Sequence, residues 1–208
     1  MNAHAEGAGT RATQANSHAE GAGSQASGAQ AHAEGTNTIS SGAGSHAEGI
    51  VTNATAVGSH SEGITTTASG SASHAEGYNT TASGDNAHSE GTDTIANHKS
   101  QHVSGEFNVA DDSSAASTAR GNYVEIIGNG TANNARSNAR ALDWLGNEYL
   151  AGDLYVHANV DSTSGTKVAT ITEVSAKADK IDTVLDTTLS LGRKASTTAG
   201  VNSIALGI

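Results

Sequence analysis

The chain has 208 residues, a formal net charge of −11, neither cysteine nor proline, and only 3% aromatic residues. A compact globule of this length would bury more large apolar side chains, and a nucleic-acid-binding protein would carry a basic surface, so both classes are disfavoured. No segment approaches the roughly 20 apolar residues of a membrane span, and no export signal follows Met1.

The first half of the chain is a 14-residue repeat marked by histidine. The repeat histidines are His4, His18, His32, His46, His60, His74, His88 and His102. All but the last begin a His-Ala-Glu-Gly or His-Ser-Glu-Gly tetrapeptide, whose glutamates are Glu6, Glu20, Glu34, Glu48, Glu62, Glu76 and Glu90. A short fixed period is typical of solenoids, in which each repeat is one unit stacked on its neighbours.

Two further columns indicate the kind of solenoid. A hydroxyl residue stands six positions after each of the first seven histidines, as in Thr66, and a small residue stands eight after, as in Ala68. Fourteen residues fit two strands of about four to five residues joined by two tight turns, and small residues permit a narrow interior. The sequence therefore predicts a parallel β-roll over residues 1–105. We expect the hydroxyl column to close the turn or to pack inside the roll, and an exposed threonine ladder of the ice-binding kind is the less favoured interpretation.

The rest of the chain predicts three further segments. Residues 106–160 form a compact β junction domain, with strand-like runs at 123–127, Glu148–Leu150 and 154–157. Residues 161–188 are a linker and a short trimeric coiled coil, because apolar and β-branched residues recur there seven apart, as at Ile171, Ala178 and Leu185. Residues 189–208 begin a second β-roll.

Two stretches resemble known families. The unit at 66–77 and the motif Asn-Ser-Ile-Ala-Leu-Gly at 202–207 are similar to the head repeats of trimeric autotransporter adhesins. Residues 137–156 resemble a segment of phage tail-fibre and appendage proteins. The resemblance implies a left-handed parallel β-roll, three chains side by side and a role in attachment. Histidine and glutamate replace the two large apolar residues of the adhesin repeat, so its usual packing at those positions does not carry over.

The histidine and glutamate columns are the dense constellation of functional groups. Residues two apart in a strand share a face, so successive coils stack each pair at about 4.8 Å. A column of bare carboxylates at this spacing repels itself. Nearby histidines would relieve the repulsion, and their pKa should then rise. The favoured interpretation is a structural ladder that sets register and trimer assembly. Metal binding ranks second, since seven equivalent sites exceed the need of a structural ion, and acid–base catalysis ranks third.

The sequence therefore predicts a mainly β, homotrimeric virion fibre, a phage tail or head fibre that mediates attachment to the host surface. It assigns no catalytic, cofactor-binding or metal-ligating residue and expects no cofactor. The expected partners are two further copies, other virion proteins and a host-surface glycan or protein, without nucleic acid or membrane insertion. The protein would be made in the host cytoplasm without a signal peptide and act on the virion surface. The alternatives are a tailspike-type polysaccharide-degrading enzyme and a bacterial surface adhesin.

The variable positions of the repeat are the expected sites of receptor contact. They lie five and seven residues after the histidine, as in Asn37 and Ile39, or Val51 and Asn53. Variation of this kind is typical of solvent-facing positions. The histidine and glutamate side chains, in contrast, are expected to face a neighbouring chain.

Overall fold

A computed structural model describes residues 2–152 and, for the backbone alone, Tyr155–Val156 and Thr166–Lys167. All regular structure in these residues is β-strand. The chain divides into two units, Met1–Ala151 and Gly152–Ile208. In the second unit, strand β19 (Tyr155–Val156) pairs antiparallel with β20 (Thr166–Lys167). The coiled coil predicted within 161–188, apart from the backbone of β20, and the second roll predicted over 189–208 lie outside the described residues.

Each turn of the repeat contributes one strand to each of two sheets. The strands that start at a repeat histidine are β1 (His4–Ala8), β3 (His18–Ala22), β5 (His32–Thr36), β7 (His46–Ile50), β9 (His60–Ile64), β11 (His74–Ala75), β13 (His88–Ser89) and β15 (His102–Glu106). The intervening strands are β2 (Arg11–Ala12), β4 (Gln25–Ala26), β6 (Ile39–Ser40), β8 (Asn53–Ala54), β10 (Thr67–Ala68), β12 (Thr81–Ala82) and β14 (Ile95–Ala96). The predicted pair of strands with four to five residues each is therefore wrong in detail, because the second strand of a turn has only two residues.

The parallel β-solenoid predicted from the repeat is confirmed over about seven turns. His46 pairs in parallel with His32 on one side and His60 on the other, so every residue lies beside its counterpart 14 positions away. The histidine-bearing sheet then continues past the repeats. Strand β16 (Tyr123–Asn129) joins it in parallel, and β17 (Asn138–Asp143) and β18 (Glu148–Leu150) follow in antiparallel order.

The interior of the solenoid is built from small side chains. Alanines on both sheets, such as Ala47 and Ala54, have no exposed surface. The hydroxyl column also lies inside: Thr66 is fully buried, donates to the carbonyl of Glu62 at 3.0 Å and bonds the Ser61 hydroxyl at 2.8 Å. The prediction of an interior hydroxyl column is thus confirmed, and the exposed threonine ladder is wrong. Small residues let the two sheets approach closely, which leaves little apolar surface to bury.

The corners of each turn use left-handed backbone. One corner lies five residues after the histidine, where Asn37 has φ 54°, but Val51 has φ 58° and Thr65 has φ 61°. Asparagine tolerates this region, whereas β-branched residues are strained there. The glycine three residues after each histidine is required for a different reason, the close approach of the next turn. Gly49 has φ 108°, and its α-carbon lies directly against the backbone of Gly63 in the next turn.

The last turn of the solenoid is closed by larger polar side chains. Asn108 occupies the position of the interior hydroxyl column and is fully buried. Its side-chain oxygen accepts from the amide of Ile95 at 2.8 Å, and its side-chain nitrogen donates to the carbonyl of Ile95 at 3.1 Å. Gln101 likewise accepts from the amide of Asn97 at 3.0 Å. The side-chain amides of Asn108 and Gln101 therefore bond the peptide groups that the backbone of a further turn would bond, because buried peptide groups need partners.

Candidate functional site

The histidine and glutamate columns lie together on the outer face of the longer sheet. In β7, His46 and Glu48 point outward while Ala47 between them is fully buried. Since the strands are in register, each imidazole lies over the one in the next turn. From His18 to His88, consecutive rings are 4.6–4.8 Å apart and within 8° of parallel. We call this surface, formed by the repeat histidines His4 to His102 and the glutamates Glu6 to Glu90, the His/Glu face.

The ends of the columns are less regular than the middle. The rings of His4 and His18 are tilted by 35°, and those of His88 and His102 by 25°. His4 and Glu6 are exposed because β1 is the first strand of the sheet. The structure therefore brings all the histidines and glutamates singled out from the sequence onto one face, with the closest order in the central turns.

The pairing between histidine and glutamate changes partway along the face. In the early turns each Nε2 lies near the glutamate of its own turn, at 3.5 Å for His32–Glu34 and 3.7 Å for His46–Glu48. In the later turns it lies near the glutamate of the preceding turn, at 3.3 Å for His88–Glu76. Glu62 is the residue at the change. It lies 4.0 Å from His60 and 3.7 Å from His74.

Glu62, where the pairing changes, has a raised pKa. A hydrogen bond with the side chain of Glu76, followed by burial and the nearby carboxylate of Glu48, raises the pKa of Glu62 to about 7. The same bond lowers the pKa of Glu76, which is the accepting carboxylate. A raised pKa favours the protonated form of Glu62, which lessens the negative charge of the glutamate column as pH falls toward 7.

The histidines behave differently from the sequence prediction. Burial, followed by the charge of a neighbouring imidazole, lowers the pKa of His32, His60 and His74. The prediction that carboxylate partners would raise the histidine pKa is therefore wrong for these three residues. The reason is that stacking shields each ring from water and places another imidazole 4.6–4.8 Å away, and together these effects outweigh the nearby carboxylates.

Several imidazole nitrogens on the His/Glu face lack hydrogen-bond partners. The Nε2 atoms of His18, His32, His46, His60 and His74 are shielded from solvent and make no hydrogen bond. Four groups place three ligand atoms within 4.8 Å of one another: His32–Glu34–His46, His46–Glu48–His60, His60–Glu62–His74 and Glu76–His88–Glu90. Imidazole and carboxylate are ligands for divalent transition metals. The arrangement can therefore exchange protons or coordinate ions.

Sequence reasoning missed a second cluster of charged and aromatic side chains beyond the repeats. Arg140 on β17 bonds both Glu148 and Glu125, the latter at 3.0 Å. Beside it, the rings of Tyr123 and Tyr149 meet edge to face at 5.8 Å, and both tyrosines line an open groove of about 220 Å³ together with Arg140. The grouping of aromatic residues in 106–160 was the available signal. The antiparallel order of β16, β17 and β18 that joins them was not predictable from it.

Comparisons with known proteins identify no family for this chain. No protein-family model matches the chain, and no curated protein matches it. Among the described residues, no helix has the length and apolar character needed to span a membrane.

Proposed function

We propose that the chain is a structural, adhesive fibre protein, which forms a homotrimer on a phage virion as a tail or head fibre. The observation that carries the proposal is the uninterrupted, in-register stacking of the repeat from β1 to β15. At about 4.8 Å per turn, the column from His4 to His102 is roughly 34 Å long. A thin, regular rod of this kind serves to hold one surface away from another.

The exposed apolar residues of the solenoid support assembly with two further copies of the same chain. Ile50, Ile64 and Tyr78 stand four residues after a repeat histidine and are 48%, 43% and 53% exposed. They form an apolar column beside the His/Glu face. The interior offers mostly alanine, serine and threonine to bury, so a single chain gains little hydrophobic stabilisation. Packing these columns against other copies would supply the missing burial.

The oligomeric state is tested by light scattering on the purified full chain. The proposal expects three times the chain mass of 20.6 kDa. Replacing Ile50 and Ile64 with serine should shift the mass toward the monomer, while the same change at the outward Thr67 of the other sheet should not. A monomeric wild-type chain would contradict the fibre model.

The site of action is tested on virus particles. Antibodies against the repeat segment should label projections on intact particles made from the genome that encodes the chain. Receptor binding is then tested by combined substitution of the exposed residues Asn37, Val51 and Asn79 with glycine, which the left-handed corner tolerates. The substitutions should weaken adsorption to host cells without lowering the melting temperature of the trimer. Loss of adsorption only together with melting would contradict a contact role for these positions.

The groove beside Arg140 gives a polysaccharide-degrading enzyme a specific observation in its favour. Glycan-cleaving sites use a pair of carboxylates and aromatic platforms. Tyr123 and Tyr149 line the groove, and Glu125 and Glu148 are bonded to Arg140, which also lines it. However, Arg140 binds both carboxylates, which leaves neither one free to act as an acid or a nucleophile. We therefore favour the structural role. Release of reducing sugar ends from host capsule or wall glycan by the purified chain, abolished in Glu125→Gln, would reverse this preference.

A further inference from the structure

The separations between imidazole nitrogens and carboxylate oxygens on the His/Glu face are unusual for hydrogen-bonded pairs. For the histidines from His18 to His74 they range from 3.5 Å for His32–Glu34 to 4.0 Å for His60–Glu62. Hydrogen bonds between such groups are shorter, about 2.7–3.2 Å. Two ligands of a tetrahedral zinc ion, each about 2.0–2.2 Å from the metal, lie about 3.3–3.6 Å apart. The observed spacing is therefore closer to that of ligands around an ion than to that of a direct bond.

From this geometry we propose that the His/Glu face binds divalent first-row transition metal ions, each held by three ligands from adjacent turns. Three groups supply two stacked imidazoles and the glutamate between them, namely His32–Glu34–His46, His46–Glu48–His60 and His60–Glu62–His74, and a fourth, Glu76–His88–Glu90, supplies one imidazole and two carboxylates. The proposal does not depend on the fibre function, since all the ligands of one group belong to one chain.

Closing around an ion requires the side chains both to approach and to turn. The rings of His32 and His46 are 4.8 Å apart and nearly parallel, so the lone pairs of their Nε2 atoms are parallel as well. To reach tetrahedral geometry each Nε2 must move by about 0.7 Å and each ring must turn by about 55°, which a change in the side-chain torsion angles provides. The Nε2 atoms of His32, His46, His60 and His74 have no hydrogen bond to give up. The remaining coordination position is open to water or to a neighbouring chain.

The groups cannot all be filled at once, because adjacent groups share a histidine. His46 belongs to the first and second groups and His60 to the second and third, and each Nε2 can bind one ion. The first and third groups can fill together. The group Glu76–His88–Glu90, which shares no residue with them, can fill as well. The described groups therefore hold at most three ions per chain, at alternate gaps of the ladder.

Alternate filling makes a distinctive set of predictions for zinc bound per chain. The full chain is stripped with a chelator, dialysed against Zn²⁺ in modest excess, and its zinc content is measured by mass spectrometry. Wild type should bind three ions, His46→Gln two, and the double variant His46→Gln/His60→Gln one. His18→Gln is the matched control, since His18 lies in the same stack but in none of the four groups, and it should still bind three.

The glutamates provide a second, independent pair of variants. Glu48 belongs only to the middle group, which competes with the other two, so Glu48→Gln should leave three ions bound. Glu62→Gln removes the third group, and the first and second share His46, so the content should fall to two. Circular dichroism of each metal-free variant checks that the solenoid is folded. No zinc retained by folded wild type, or the same content in Glu48→Gln and Glu62→Gln, would overturn the proposal.

Discussion

The glycine that follows each repeat glutamate should be the least replaceable residue of the solenoid, and Gly49→Ala tests this. Gly49 has φ 108°, a region that other residues enter at a cost of about 1–3 kcal/mol. A β-carbon there would lie 3.1 Å from the carbonyl carbon of Gly63 and closer still to its oxygen. The turns must then separate and weaken their ladder, at about 0.5–1.5 kcal/mol for each hydrogen bond. The expected total is about 3–5 kcal/mol.

Gly58→Ala is the matched control for this substitution. Gly58 also has a positive φ, 63°, but a β-carbon there would meet no atom within 4 Å. Ala72 already occupies the equivalent position one turn later, with φ 53°. The cost should therefore be about 1 kcal/mol. Urea unfolding followed by circular dichroism measures both variants against wild type. If Gly49→Ala costs no more than Gly58→Ala, the close approach of the turns does not limit stability.

Three further substitutions test other parts of the structure. Val51→Asn should stabilise the chain by about 1 kcal/mol in thermal unfolding, because asparagine tolerates the left-handed corner, whereas Thr67→Asn on a strand should give no gain. Asn108→Ala should cost about 2–3 kcal/mol, because the amide and carbonyl of Ile95 lose their partner, while the exposed Asn122→Ala should change stability by less than about 0.5 kcal/mol. Between about pH 5 and pH 8, Glu62→Gln should lose less stability than wild type, as measured by unfolding with chelator present. The reason is that folding raises the pKa of Glu62 from 4.5 to about 7. The contribution of Glu62 to the free energy of unfolding is therefore complete below pH 4.5 and is lost as pH rises through 7. Parallel pH profiles of Glu62→Gln and wild type would contradict the raised pKa of Glu62.

The period of the sequence was enough to predict the architecture of the first half of the chain. A fixed spacing of 14 places every residue beside its counterpart, and alternation along β7 then predicts that Ala47 points inward and His46 outward. The burial of the hydroxyl column at Thr66 followed from the same reasoning.

The electrostatics of the His/Glu face could not be predicted in this way. The sign of the pKa change at His60 depends on whether burial, which lowers the pKa, outweighs the nearby carboxylates, which raise it. The 14-residue period of the sequence does not determine which effect is larger. The change of partner at Glu62 depends on shifts of less than 1 Å between otherwise identical turns. The left-handed backbone of Val51 also could not be predicted, because β-branched residues disfavour this conformation. Here the ladder hydrogen bonds on both sides of the corner impose the backbone angle.

Because every turn pairs with the next in the same way, the rod can change in length only by whole turns. Deleting or inserting one 14-residue unit in the middle would join each column to itself again and change the length by about 4.8 Å, with no new contact to optimise. An insertion whose length is not a multiple of 14 residues would place glycine columns beneath side chains. The larger polar residues Gln101 and Asn108 end the series, because their side chains bond the backbone of the last turn. Reach could thus evolve in fixed steps while the chemistry of the surface stays constant.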